Sequence, residues 1–260
     1  MRLQKMTAPG WKRWVTGFVL ALWAATPAIA GEVTVAVASN FLNPLKQLIQ
    51  EFQHQSGHRV RTVSGSTGKL YVQILHGAPF DVFLAGDSAR PRLLEKDGQA
   101  VAGTRFTYAR GKIVLWSADP QRIGADGKNL LRRRNFNHLA LANPKTAPYG
   151  KAAVTALQRL NLWETLSPVI VQGENIGQTF QFVATGNAEV GLVALSQVMD
   201  PRLNIKGSRW LVPEDLYDAI DQDAVLLTRG KSNPAARAFL KFLQSGRARN
   251  ILKSYGYGLK

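Results

Sequence analysis

Val33-Thr34-Val35-Ala36-Val37-Ala38-Ser39-Asn40 and, further along, Val63-Ser64-Gly65-Ser66-Thr67-Gly68 decide how this chain is read. Each stretch is a short β-rich run that ends in small hydroxyl and amide residues just ahead of a helical pattern. In an open α/β sheet, ligands collect at the C-terminal ends of strands, and the helices that follow direct unpaired backbone N–H groups at the same place. Ser, Asn and Thr add neutral donors there without adding charge, so the layout is that of an anion site. An ATP-type phosphate loop ending at Gly68-Lys69 would need Gly at position 63 and Ser or Thr at position 70, where the chain has Val63 and Leu70.

Ahead of the first strand the sequence reads as an export signal. Arg2, Lys5, Lys12 and Arg13 precede an apolar run from Trp14 to Ala25, a break at Pro27, and Ala28-Ile29-Ala30. The run is too short for a stable membrane anchor, and the small residues form an A-x-A-like cleavage site, so cleavage after Ala30 and a periplasmic location are expected. There are no cysteines, which excludes disulfides and thiolate chemistry. Removing the four signal cations leaves 29 Lys and Arg against 17 Asp and Glu, a formal +12 against +16 for the whole chain. That excess suits an anionic partner. The densest cluster, Arg132-Arg133-Arg134, reads as a solvated loop or helix end; no aromatic ladder accompanies it, so nucleic acid is not expected.

Strand and helix patterns alternate through the rest of the chain. A helix begins at Asn43-Pro44 with Leu45, Leu48, Ile49 and Phe52 on one face and Gly57 as its stop. A second block opens near Lys112-Ile113-Val114-Leu115-Trp116 and repeats the theme, Leu139-Ala140-Leu141-Ala142 running into Asn143-Pro144 and then Pro148-Tyr149-Gly150. The last part, from Ala224 to Tyr255, looks like a return to the first block. Strands spaced by helices argue for parallel sheets in two α/β lobes with a ligand cleft between them.

Five motifs in order, Ala38-Ser39-Asn40-Phe41-Leu42, Ser64-Gly65-Ser66-Thr67-Gly68-Lys69-Leu70, Gly77-Ala78-Pro79-Phe80-Asp81-Val82-Phe83, Asn143-Pro144 with Ala147-Pro148-Tyr149-Gly150, and Val190-Gly191-Leu192-Val193-Ala194, resemble the periplasmic molybdate-binding proteins of ABC transporters. The resemblance covers nearly all of the chain after the signal. It implies a type II solute-binding fold: a signal at 1–30, a first lobe from 31–111 and 222–260, and a second lobe from 112–221. Hinges are expected near Arg110 to Lys112 and near Asp221 to Ala224. The family's first-lobe contacts fall on Ser39, with Asn40 beside it, and on Thr67, with Ser66 as neighbour; those of the second lobe map to Tyr149 and to the backbone N–H of Ile176. Some members carry a ligand-binding Tyr where this chain has Ala194, and Tyr149 then supplies the phenol instead. The resemblance further implies a monomer that is not an enzyme, a transported molybdate or tungstate with no separate cofactor, no metal bound directly by protein side chains, and an inner-membrane ABC permease as partner.

The residues agree with that chemistry. A fully deprotonated oxyanion presents only acceptors, so hydroxyls, amide N–H groups and helix N-termini suit it, and each charge-assisted bond is worth more than a neutral one. The site loops contain no acid, which favours molybdate, tungstate or sulfate over a protonated phosphate. A sulfate receptor, or a periplasmic enzyme or sensor domain for an anionic metabolite, are the alternatives. Against the enzyme, none of the four histidines falls in a catalytic motif, and no Gly-x-Ser-x-Gly elbow is present. Lys69 is expected to be solvated, and Tyr255 and Tyr257 to pack the end of the last helix.

Overall fold

A computed structural model describes residues 30–259; the expected export signal lies outside the described residues but for Ala30. Strand β1 (Glu32–Ala38) alternates as its sequence dictates, with Val33, Val35 and Val37 facing one core layer and Ala36 the other. Helix α1 (Leu42–Ser56) lays Leu45, Leu48 and Phe52 on the first layer and stops at Gly57, whose φ of 71° is a left-handed cap that a side chain would strain. The chain continues through β2 (Arg59–Gly65), α2 (Thr67–Leu75), β3 (Val82–Leu84), α3 (Ala89–Lys96) and β4 (Phe106–Gly111).

Only Lys112 separates β4 from β5 (Ile113–Ser117), yet the two belong to different sheets, so the backbone crosses between lobes there. The second lobe holds α4 (Gly127–Arg133), β6 (Leu139–Ala142), α5 (Pro148–Arg159), α6 (Trp163–Leu166), β7 (Ile170–Gly173), α7 (Ile176–Ala184), β8 (Val190–Ala194), α8 (Leu195–Val198) and β9 (Ser208–Leu211). The chain then returns as β10 (Ile220–Leu226), α9 (Pro234–Leu243) and α10 (Gly246–Ser254).

Each lobe is one five-stranded sheet, ordered β2-β1-β3-β10-β4 and β7-β6-β8-β5-β9, with an apolar layer on both faces. Full burial of side chains such as Phe41, Phe83 and Phe239 stabilises each lobe by roughly 1.5–3 kcal/mol apiece. The sheets are mixed rather than parallel, which corrects the sequence expectation. β10 runs antiparallel to β3 and β4, and β5 antiparallel to β8 and β9. Strands β5 and β10, the first after each crossing, run against the local direction, whereas β4 and β9 keep it. Helices between strands report only the parallel units β2-β1-β3 and β7-β6-β8.

The second crossing lies between Leu211 and Ile220, and Asp221 to Ala224 is already paired strand. Return to the first sheet therefore starts two residues before the sequence-based boundary. The Arg132-Arg133-Arg134 run closes α4, with Arg134 at φ 51° as its left-handed cap.

Candidate anion-binding site

All six residues singled out from the sequence, Ser39, Asn40, Ser66 and Thr67 from the first lobe and Tyr149 and Ile176 from the second, line one small cavity where the lobes meet. Its empty volume is ≈ 180 Å³, and no charged side chain lines it. The enclosed space is far too small for an organic ligand and is scaled for a small inorganic ion.

The first-lobe hydroxyls arrive at the ends of β1 and β2, and each is aimed by a backbone N–H. Ser39 Oγ accepts from Gly177 N of the other lobe at 3.2 Å, Ser66 Oγ caps α2 by accepting from Lys69 N at 3.4 Å, and Thr67 Oγ1 accepts from Gly86 N at 3.0 Å. A hydroxyl has one proton to give. With an acceptor position filled in each case, the proton is left for the cavity.

In the second lobe, Asn175 caps α7 by accepting from Gly177 N at 2.9 Å and Gln178 N at 3.1 Å. Ile176 N–H precedes the first intrahelical bond, Thr179 N to Asn175 O at 3.1 Å, and so has no acceptor within the helix. Helix α5 starts with Pro148 in its first turn, and Gly150 lets it sit on the end of β6, because a Cβ there would overlap the Ala142 carbonyl. That contact directs Tyr149 into the junction, where it is 1% exposed. Burial, then the neighbouring Tyr257 and Tyr108, pushes its phenol well above the usual range, so it stays protonated.

Asn40, expected beside Ser39, lines the cavity, while its side-chain amide is engaged elsewhere. Its amide turns into a buried network, donating to Gln222 Oε1 at 2.9 Å and the Tyr257 oxygen at 3.0 Å. The Tyr108 hydroxyl lies 3.0 Å from the Ala85 carbonyl and 3.1 Å from Gln222 Oε1, two acceptors for its one proton, and Ser196 donates to the Asn40 carbonyl at 3.2 Å. The sequence reading missed Gln222, Tyr108 and Ser196, and assigned Tyr257 to packing alone. Ser196 stands two residues past Ala194, which has no hydroxyl, and its Oγ touches the Tyr257 hydroxyl at 3.0 Å. Their partners lie far along the chain, so no local spacing pointed to them.

Around the cavity the lobes close directly on one another. Gly68 N donates to Thr146 O at 2.8 Å, and Arg202 donates to Asn43 O at 3.1 Å. Lys69 is not left to solvent: its Nζ lies 2.8 Å from Glu174 Oε1 across the cleft, although both side chains remain more than half exposed. Helix α2 points Lys69 outward, as expected, but the opposite lobe brings a carboxylate to meet it.

Such a lining can hold, without proton transfer, a small anion whose oxygens only accept. Among the described residues no group of three or more His, Cys, Asp or Glu side chains is placed to hold a metal ion. Residues 33–258 match the family described as bacterial extracellular solute-binding protein. The molybdate-binding protein ModA of Azotobacter vinelandii is 53% identical over 91% of this chain and 93% of its own length; that of Rhodobacter capsulatus is 48% identical over 93% and 94%. The solved structure of the Azotobacter vinelandii periplasmic molybdate-binding protein superposes with a TM-score of 0.85 at 39% identity, covering 88% of this chain and 99% of that one. The chain therefore belongs to the bacterial extracellular solute-binding protein family, in which it stands with the ModA molybdate-binding proteins.

Proposed function

We propose that the protein captures molybdate in the cavity between its lobes and delivers it to an ABC import permease. The observation that carries this reading is a buried lining that offers hydroxyl and backbone donors and no charged side chain. Molybdate, fully deprotonated, satisfies every donor. Phosphate near neutral pH keeps a proton, which would face donors and remain unpaired, an arrangement that costs about 1–3 kcal/mol. Tungstate shares the charge and shape of molybdate and follows it; sulfate is smaller and leaves longer, weaker bonds. The high identity to two molybdate-binding proteins supports the choice among these anions.

The rest of the reading extends the sequence-based expectations. The protein works as a monomer in the periplasm after cleavage behind Ala30, retains its cargo without turnover, and needs no cofactor. Contacts from both lobes mean that the ligand favours the closed form by its differential affinity. Calorimetry with molybdate, tungstate, sulfate and phosphate tests the selectivity, and phosphate binding as tight as molybdate would refute it. Intact-mass measurement on periplasmic extract checks the Gly31 terminus and reveals any retained oxyanion. Small-angle scattering should show a smaller radius of gyration on saturation with molybdate.

A further inference from the structure

Tyr149 is the only phenol that lines the cavity, and its usefulness there depends on where its proton points. Its oxygen lies 2.9 Å from Gln222 Nε2 and 3.4 Å from Asn40 Nδ2, both amide donors. Gln222 is fully buried on β10, a first-lobe strand, beside a register shift between Gln222 and Asp223. Gly111, at the end of β4, supplies the space: a Cβ there would overlap the Tyr149 hydroxyl and come within 2.7 Å of Gln222 Nε2. The amide of Gln222 is held one way round by Asn40 Nδ2, which donates to its Oε1 at 2.9 Å; the Tyr108 hydroxyl, 3.1 Å from the same oxygen, shares its one proton with the Ala85 carbonyl at 3.0 Å. Turning it over would set N–H against N–H.

We infer that Gln222 is a positioning residue that orders the Tyr149 hydroxyl, filling its oxygen so that the phenolic proton is delivered to the bound oxyanion. The inference rests on the molybdate reading above and adds to it a first-lobe residue that acts through a second-lobe one. Gln222 and Tyr149 belong to different lobes, so the bond also ties the two sides of the cleft together beside the backbone crossings. The competing acceptor is the Tyr257 oxygen, already in hydrogen-bond contact with Asn40, Gln222, Ser196 and Tyr149. A dianion draws the same proton more strongly than a neutral phenol oxygen does. The titratable groups around Gln222 are Tyr108, Tyr149 and Tyr257, with the Asp87 and Asp223 charges acting on Tyr108.

A double-mutant cycle on the full chain tests this, with molybdate titrated calorimetrically and thermal melts of the ligand-free proteins alongside. Gln222→Met should weaken molybdate binding about 10-fold and Tyr149→Phe about 10- to 100-fold, while the double variant binds no worse than Tyr149→Phe alone. Gln222→Glu is nearly isosteric and keeps the test open if the Met variant does not fold. Its ionised carboxylate only accepts, so it should claim the phenolic proton, weaken molybdate as pH rises through its titration, and lose that pH dependence in the Tyr149→Phe background. Additive losses in the cycle, or a pH dependence that persists without the phenol, would overturn the positioning role while leaving molybdate binding standing. A wild-type protein that does not bind molybdate would take down both readings.

Discussion

The inside and the rim of the cleft are held by opposite means. Inside, contacts are neutral and buried: Asn40, Ser66, Thr67, Tyr149 and Gln222 are each at most 3% exposed and bonded to amides or hydroxyls. At the rim, Lys69 and Glu174 form an ion pair whose side chains are 51% and 64% exposed. Buried donors have lost water, so every unfilled acceptor or misdirected proton carries its full desolvation cost. Exposed charges keep water and salt as alternatives and contribute little. Specificity therefore resides in the uncharged interior, and the visible charges around it mainly guide an anion inward.

Gly111→Ala should break the interior most severely. Its new methyl group would displace both the Tyr149 hydroxyl and the Gln222 amide, so molybdate affinity should fall by at least the loss seen for Tyr149→Phe. Overpacking of this kind also costs about 1–3 kcal/mol of stability, visible as a lower Tm. A variant with unchanged affinity would show that the phenol is not held where the structure has it.

Ser39→Ala and Thr67→Val come next. Each removes one hydroxyl proton aimed at a dianion and should cost about 1.5–3 kcal/mol of binding, roughly 10- to 150-fold in Kd by calorimetry. If these hydroxyls served only to cap Gly177 N and Gly86 N, thermal melts would show about 1 kcal/mol lost with affinity nearly intact. The two outcomes separate a binding interior from a merely well-capped one.

At the rim, Lys69→Ala should change affinity by less than about fivefold, corresponding to roughly 0.2–1 kcal/mol. The difference should shrink further as salt is raised, because the pair is screened. Glu174→Gln should behave alike. A loss as large as that of Ser39→Ala would reverse the division between interior and rim.

The smallest expected effect is that of pH. Burial holds the phenols of Tyr108 and Tyr149 well above the ordinary tyrosine value, and that of Tyr257 at about 12. Their protonated forms are the ones the fold favours, so this contribution to stability is intact below the unfolded value near ~10 and is lost as pH rises beyond it. Molybdate affinity should consequently stay level from about pH 6 to about pH 9. A titration centred inside that window would mean that an ionising group other than these phenols controls the site.

Much of this was legible along the chain. Val33, Val35 and Val37 alternate because one face of β1 is a core layer, and Ser39 must then stand at the strand's C-terminal end beside a helix start. Ser66 and Thr67 follow β2 in the same way, and Asn175 marks the cap that leaves Ile176 N–H available. These are local signals, set by residues within one strand-to-turn-to-helix unit. The mixed direction of the sheets was not legible, because β5 and β10 take their direction from the crossings between lobes rather than from their own residues.

Nor did the sequence show what becomes of Asn40, Lys69 or Gln222. Each is a polar residue whose partner lies far along the chain: Gln222 for Asn40, Glu174 for Lys69, Tyr149 for Gln222. The sequence by itself determined the lobes' strand and helix units and the supply of neutral donors at their ends, since periodicity and capping act over a few residues. Only the tertiary structure decided which protons are free to reach an anion, because that depends on which acceptors are already filled by groups that the fold brings alongside, such as Gly86 N for Thr67 and Gly177 N for Ser39.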